Sequence, residues 1–170
     1  TGIAIKNGLS AEQTILRYSR PANNARALTH YNNWFDPDGK DIRGDNLSKT
    51  LAAFQKPLAG SGISIDAMVP DNGWQDRRSI WQPAKSLFPN GMQTIGQLGK
   101  NLRKSGSALG LWIAADNTTN DISWGTSAGY KRAKANPYFS QYFEHHSLAQ
   151  PEYNAALTSQ LKALTDTGAI

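Results

Sequence analysis

Polar residues interrupt the chain at the ends of three strand-like segments, which cover Arg26–Trp34, Ile63–Val69 and Ala108–Ala114. Short, largely apolar runs that end in Gly, Pro, Asn or Asp are typical of buried strands. We therefore predict three strands at these positions. A fourth strand is expected to begin at Ala169-Ile170.

Apolar residues at helical spacing mark the stretches between the predicted strands. The predicted inner faces consist of Leu47, Leu51, Phe54 and Leu58; of Met92, Ile95, Leu98 and Leu102; and of Tyr153, Leu157, Leu161 and Leu164. Pro57 should end or kink the first of these helices, Gly106 should end the second, and Pro151 should open the third. Shorter helices are expected over Ala11–Tyr18 and around Ala128–Ala135, the latter inside the otherwise irregular segment Thr118–Ser147.

The alternation of strands and helices predicts an α/β fold with a parallel sheet covered by helices. Two architectures fit this order of elements, an open doubly wound sheet and a (β/α) barrel. No Gly-rich fingerprint follows the first strand, which argues against a dinucleotide site.

Composition narrows the functional classes. The chain has 170 residues, 39% of them hydrophobic and 18% charged, which fits one folded domain and excludes a disordered chain. No apolar run reaches the roughly 18 residues that a membrane-spanning helix requires, so no membrane partner is expected. The net charge is +5, but Lys and Arg are scattered, with no run longer than Arg77-Arg78, so nucleic acid is not the expected partner.

The absence of cysteine excludes a disulfide framework and fits an exported protein, so we predict a secreted or periplasmic location. No cofactor and no metal are expected. The adjacent His145 and His146 point in opposite directions if that segment is extended, and they lack further ligands at metal-binding spacing.

The second strand ends in Pro70-Asp71-Asn72-Gly73-Trp74, which places a carboxylate, an amide and an indole in a tight loop. Asp, Asn and Gly are ordinary β-turn residues, so a plain turn is one interpretation. A ligand site is the other, because α/β proteins bind ligands at the carboxyl ends of their parallel strands.

Several motifs together resemble the α-galactosidase clan of glycoside hydrolases, families 27 and 36. Asn32-Asn33-Trp34 is similar to the motif that ends the clan's first strand, and Asp71-Asn72-Gly73-Trp74 is similar to its Asp-Asp-Gly-Trp loop. The similarity continues in Trp81, in Phe88-Pro89-Asn90-Gly91, in Gly110-Leu111-Trp112 and in the lead-in to the last helix, Ser147–Tyr153. These motifs occur in the clan's order over Leu28–Ile170.

The resemblance implies a (β/α)8 barrel that hydrolyses α-galactosides or related sugars with retention, using two carboxylates. The clan's nucleophile ends strand four in a Lys-x-Asp motif, and its acid/base lies further on. Neither is expected within these residues, so no catalytic residue is predicted here. Residues 1–26 are interpreted as a lead-in, and residues 27–170 as the first three βα units, ending at the start of strand four.

The resemblance also implies a set of substrate contacts. Asp71 matches a carboxylate that accepts hydrogen bonds from sugar hydroxyls, and Asn72 replaces its partner Asp, which puts strict galactose specificity in doubt. The other predicted contacts are Asn33, Trp34, Trp74, Trp112 and Asp116. Core packing remains the alternative for the Trp residues, and a turn for Asp116.

As an isolated half-barrel, the chain is expected to be inactive, and to associate with the remainder of the barrel or to form a homo-oligomer. The alternative is a non-catalytic carbohydrate-binding or scaffold module derived from such a barrel.

Overall fold

Three short parallel strands form the sheet: β1 (His30–Asn32), β2 (Ala67–Val69) and β3 (Ala108–Leu109), in the order β1-β2-β3. In this computed structural model, residues 27–36, 41–117, 119–133 and 145–168 are described. Tyr31 pairs with Met68, and Met68 pairs with Leu109, so the three strands run in register. Because neighbouring strands are parallel, their carboxyl ends lie along one edge, and the predicted α/β class is confirmed.

The strands are shorter than predicted, but the contact between β2 and β3 continues beyond them. Gly110 N donates to Met68 O at 2.9 Å, and Trp112 N donates to Pro70 O at 3.0 Å. The third predicted segment therefore runs alongside the second as far as Pro70, where the polar loop Pro70–Trp74 begins.

Four helices accompany the strands: α1 (Asn46–Leu58), α2 (Met92–Lys104), α3 (Ile122–Ser127) and α4 (Pro151–Asp166). Pro57 lies inside the last turn of α1, and Pro151 opens α4 at its first turn. The predicted inner faces are buried over most of their length, although Phe54 and Leu161 are each 39% exposed. The core that the helices and the sheet share includes Leu47, Leu51, Met68, Ile95, Leu102, Leu109, Tyr153 and Leu164.

The prediction of a helix around Ala128–Ala135 was wrong over its described residues, 128–133. The chain instead forms α3 earlier, because the Asp121 side chain accepts a hydrogen bond from Trp124 N and caps the first turn. Ala128 already follows the helix, and Gly129 has a positive φ of 92° that breaks it.

Three predictions lie outside the described residues: the lead-in over residues 1–26, the helix over Ala11–Tyr18, and the fourth strand at Ala169-Ile170. Among the residues that are described, no helix has the length and apolar character needed to span a bilayer.

Candidate functional site

A cavity of about 150 Å³ opens where the chain leaves β1 and β2. Its wall combines polar groups from the two strand ends with apolar side chains from the flanking segments. The lining residues are Asn33, Trp34, Ile42, Asp71, Asn72, Gly73 and Leu87.

Asp71 lines this cavity and is held by three hydrogen bonds. Its backbone N donates to Asn33 Oδ1 at 2.7 Å, and its Oδ2 accepts from Asn32 Nδ2 at 2.9 Å. Its Oδ1 accepts from Asn72 N at 2.7 Å. A carboxylate has about four acceptor positions, so both oxygens can accept further hydrogen bonds from a ligand.

Asn32 has a defined orientation as well. Trp34 N donates to its Oδ1 at 2.9 Å, which turns Nδ2 towards Asp71. The two Asn residues at the end of β1 thus contact Asp71 in different ways, Asn32 through the carboxylate and Asn33 through the main chain. Of these two residues, only Asn33 was predicted from the sequence as a contact, although both stand in the same strand-end motif.

Beneath the loop lies a connected group of side-chain amides. Gln75 is 2% exposed, and its Nε2 donates to Asn72 Oδ1 at 2.8 Å and to Asn120 Oδ1 at 2.9 Å. Asn120 Nδ2 in turn donates to Ser79 O at 3.2 Å. Gln75 and Asn120 gave no signal in the sequence, because they are 45 residues apart and each lies in an irregular segment.

Trp74 is a core residue in this structure. Its side chain is 0% exposed, and its Nε1 donates to Trp112 O at 2.9 Å. The Trp74 and Trp81 ring centroids are 5.7 Å apart, and those of Trp81 and Trp112 are 5.9 Å apart. A ring with no exposed surface cannot stack on a sugar, so the loop is supported from below by this indole cluster.

Trp34 differs from Trp74, because it is 53% exposed and lines the cavity. The next residue, Phe35, is also exposed.

Trp112 and Asp116 do not line the cavity, although they follow β3 at the same edge of the sheet. The Asp116 backbone oxygen accepts from His146 N at 2.8 Å.

His146 is buried between the rings of Tyr130 and Tyr153, at centroid distances of 5.8 and 5.4 Å. Its burial lowers the pKa of the imidazole below the usual value. Within the described residues, no group of three His, Asp or Glu side chains comes together that could hold a metal ion.

The pKa values of Tyr31 and Asp121 are shifted as well. Burial raises the pKa of Tyr31, whose hydroxyl donates to Asp36 Oδ2 at 2.6 Å, and that bond raises it further. Hydrogen bonding from Trp124 N, followed by that from Arg78, lowers the pKa of Asp121. Neither group lines the cavity, so both shifts reflect the structure around the site.

Three solved enzymes share this arrangement of elements. The α-galactosidase from Lactobacillus brevis superposes with a TM-score of 0.56 at 18% identity, over 84% of this chain and 19% of its own. The α-galactosidase from Thermus thermophilus was solved with p-nitrophenyl α-D-galactopyranoside. It superposes with a TM-score of 0.56 at 18% identity, over 85% of this chain and 29% of its own. The GH36 α-galactosidase AgaB from Geobacillus stearothermophilus superposes with a TM-score of 0.58 at 19% identity, over 85% of this chain and 20% of its own. The chain therefore shares the fold of part of the barrel in these enzymes.

The cavity lies at the carboxyl ends of the strands, the edge where (β/α)8 barrels carry their active sites. The chain spans 19–29% of the length of these three enzymes, so the likeness concerns one portion of their structure. No protein-family model and no curated protein matches the sequence. At 18–19% identity the likeness establishes the fold, and the chemistry has to be argued from the site.

Proposed function

We propose that the cavity binds one glycosyl unit of an α-galactoside or a related sugar, and that the chain supplies the substrate-holding part of a retaining glycoside hydrolase. The observation that carries this proposal is the Asp71 carboxylate, which is fixed by Asn32 and Asn72 at the strand ends of an α-galactosidase fold. Its remaining acceptor positions suit sugar hydroxyls, which bind a carboxylate through charge-assisted hydrogen bonds.

The rest of the wall suits a sugar in a different way. Trp34 offers an exposed indole to the C–H face of a pyranose ring, and Ile42 and Leu87 add apolar surface. A few fixed polar groups on a mostly apolar wall are the usual composition of a small-molecule site.

Catalysis requires more than these groups. A retaining glycosidase uses two carboxylates about 5–5.5 Å apart, one as nucleophile and one as acid/base. Asp71 is the one carboxylate among the described residues that line the cavity, and its bonds to Asn32 and Asn72 suit it to holding the substrate. We assign no catalytic residue here and propose that both catalytic carboxylates come from further βα units of the barrel.

Association with further barrel units is part of the same proposal. Within the described residues, β1 and β3 are the outer strands of the sheet, each paired on one side. Barrels leave no open edge, whereas an open parallel edge can pair with another chain. Sedimentation of the purified chain tests this point: a complex or a dimer supports it, and a monomer at every concentration contradicts it.

The test of the function is calorimetric titration with methyl α-D-galactoside and a panel of other monosaccharides. Asp71→Ala should weaken binding at least about tenfold, because hydrogen bonds to charged groups contribute about 1.5–3 kcal/mol. Asp166→Asn is the matched control, since this carboxylate at the end of α4 is exposed and pairs with Lys162. Failure of every sugar to bind would refute the proposal.

Hydrolysis assays separate two versions of the function. Turnover of an aryl α-galactoside by the associated form, lost in Asp71→Ala, identifies an enzyme. Binding without turnover in any assembled form identifies a carbohydrate-binding module on the same fold.

A further inference from the structure

The side-chain amides beneath the loop form a chain that begins at one backbone group and ends at another. At the first end, Gly73 N donates to Gln75 Oε1 at 2.9 Å. A backbone N–H can only donate, so the oxygen of Gln75 has to face it. The Nε2 group of Gln75 is therefore directed to the other side of its carboxamide.

The second end fixes the same orientation independently. Asn120 Nδ2 donates to Ser79 O at 3.2 Å, and a backbone carbonyl can only accept. Asn120 Oδ1 therefore faces Gln75, where it accepts from Nε2 at 2.9 Å. Both ends agree that Gln75 directs a donor towards its neighbours.

Asn72 has to match this donor. Gln75 Nε2 lies 2.8 Å from Asn72 Oδ1, so the oxygen of Asn72 is committed to the protein interior. Its Nδ2 is then the group left on the side of the cavity that Asn72 lines. Gln75 and Asn120 are both buried, so reversing the amides would set donor against donor away from water, which is costly.

We infer that Asn72 meets the ligand as a hydrogen-bond donor, and that Gln75 is the positioning residue that makes it one. The loop then offers an acceptor at Asp71 and a donor at Asn72 side by side, whereas two Asp residues would offer two acceptors. The identity of the ligand as a sugar rests on the proposed function, but the orientation of Asn72 does not.

This pairing determines the class of ligand that fits. The group that faces Asn72 has to accept a hydrogen bond and has no need to donate one. A hydroxyl qualifies, and so does a fluorine that replaces it, whereas an ammonium group of an amino sugar does not, because it has no acceptor. The site therefore excludes an ammonium group at this position.

The orientation can be measured without any ligand. In the isotope-labelled free protein, NMR should detect scalar coupling across the hydrogen bond from Gln75 Nε2 to the Asn72 side-chain carbonyl carbon. The Gln75 amide protons should exchange with solvent more slowly than those of Asn72. Coupling in the reverse sense, from Asn72 Nδ2 to the Gln75 carbonyl carbon, would overturn the inference.

Ligand binding gives the second readout. Galactose is compared with its deoxy and deoxyfluoro analogues at each hydroxyl in the wild type and in Asn72→Asp, whose carboxylate can still accept from Gln75. At one position we expect the deoxy sugar to bind about tenfold more weakly and the fluoro sugar to retain affinity within about threefold. In Asn72→Asp the same fluoro sugar should bind at least about tenfold more weakly, because fluorine then faces a carboxylate.

Gln75→Glu tests the positioning role. The carboxylate introduced by this change would still accept from Gly73 N but would offer Asn72 an oxygen. Asn72 should then turn its Nδ2 inwards, and the fluoro sugar should bind as weakly as it does to Asn72→Asp. Gln82→Glu, an exposed change in the same segment between β2 and α2, should leave the fluoro preference intact. If Gln75→Glu does not fold, the NMR coupling and Asn72→Asp still decide the matter.

The two proposals fail separately. If no sugar binds the wild type, the proposed function is wrong, and the NMR coupling alone decides the orientation of Asn72. If sugars bind but every fluoro analogue behaves like its deoxy counterpart, the function stands and Asn72 is not the donor.

Discussion

Asn32 and Asp71 join the ends of two neighbouring strands through a hydrogen bond of 2.9 Å from Nδ2 to Oδ2. The bond connects residues 39 positions apart in sequence. It couples the orientation of the proposed sugar-binding carboxylate to the end of β1, which is itself paired with β2.

Removing this bond by Asn32→Ala should weaken sugar binding about three- to tenfold, because Asp71 loses the side-chain donor that fixes the orientation of its carboxylate. Calorimetric titration with the sugar that binds the wild type measures the effect. Asn101→Ala, an exposed change on α2, is the control and should leave affinity unchanged. Equal affinity in Asn32→Ala and the wild type would show that Asp71 does not need this support.

Gly125 lies in α3 directly against His146, and a Cβ at this position would overlap the imidazole. We expect Gly125→Ala to lower the free energy of unfolding by about 1–3 kcal/mol, the usual cost of overpacking a core. Urea denaturation followed by circular dichroism measures the change.

Gly96 in α2 is the matched control for Gly125. A Cβ there would lie 3.5 Å from Thr167 O, which is ordinary contact. Gly96→Ala should raise the free energy of unfolding by up to about 1 kcal/mol, because alanine favours the helix. Equal effects of the two substitutions would refute the packing argument.

His146 should make stability depend on pH. Burial is the main cause that lowers its pKa, the charges of Arg132 and His145 lower it further, and Asp116 raises it. Since the folded pKa lies below the unfolded value of about 6.5, the unfolded chain binds more protons as the pH falls below that value. The free energy of unfolding should therefore decline from about pH 7 towards pH 5.

Urea denaturation at a series of pH values measures this decline. His146→Leu should flatten the profile in that interval, whatever its effect on stability at pH 8. A profile that stays equally steep without His146 would assign the dependence to other groups.

Gln150 holds the chain that follows α3. Its Oε1 accepts from Lys131 N at 2.7 Å, and its Nε2 donates to Gly129 O at 3.1 Å. Gln150→Leu leaves both backbone groups without these partners, so we expect a loss of about 1–3 kcal/mol in the free energy of unfolding. Gln93→Leu on the exposed face of α2 serves as the control, and an equally small effect of both changes would count against this role.

The position of the cavity could be predicted from sequence, because parallel strands bring their polar carboxyl ends to one edge wherever their exact limits fall. The exposure of Trp34 and the burial of Trp74 could not be predicted in this way. Gly73 has a positive φ of 118° and turns the chain just before Trp74, whose ring then enters the core and finds an acceptor in Trp112 O. No local pattern specifies that turn.

Contacts between distant irregular segments were also beyond prediction. Gln75 and Asn120 meet because two loops after neighbouring strands pack together, and neither residue has a periodic neighbour that marks it as buried. The error at α3 was of another kind, since its signal was present in Asp121, which caps the helix at Trp124. An Asp ahead of a short apolar stretch is a stronger start signal than the alanines beyond it.

The indole cluster beneath the loop gives the protein an optical property. Trp74 and Trp81 are shielded from water, and both lie near Trp112, whereas Trp34 is exposed at the cavity. Emission from buried indoles occurs at shorter wavelength than emission from hydrated ones, and neighbouring rings exchange excitation energy. Any movement that admits water beneath Asp71–Trp74 would therefore shift the intrinsic fluorescence to the red, so the loop carries its own spectroscopic reporter.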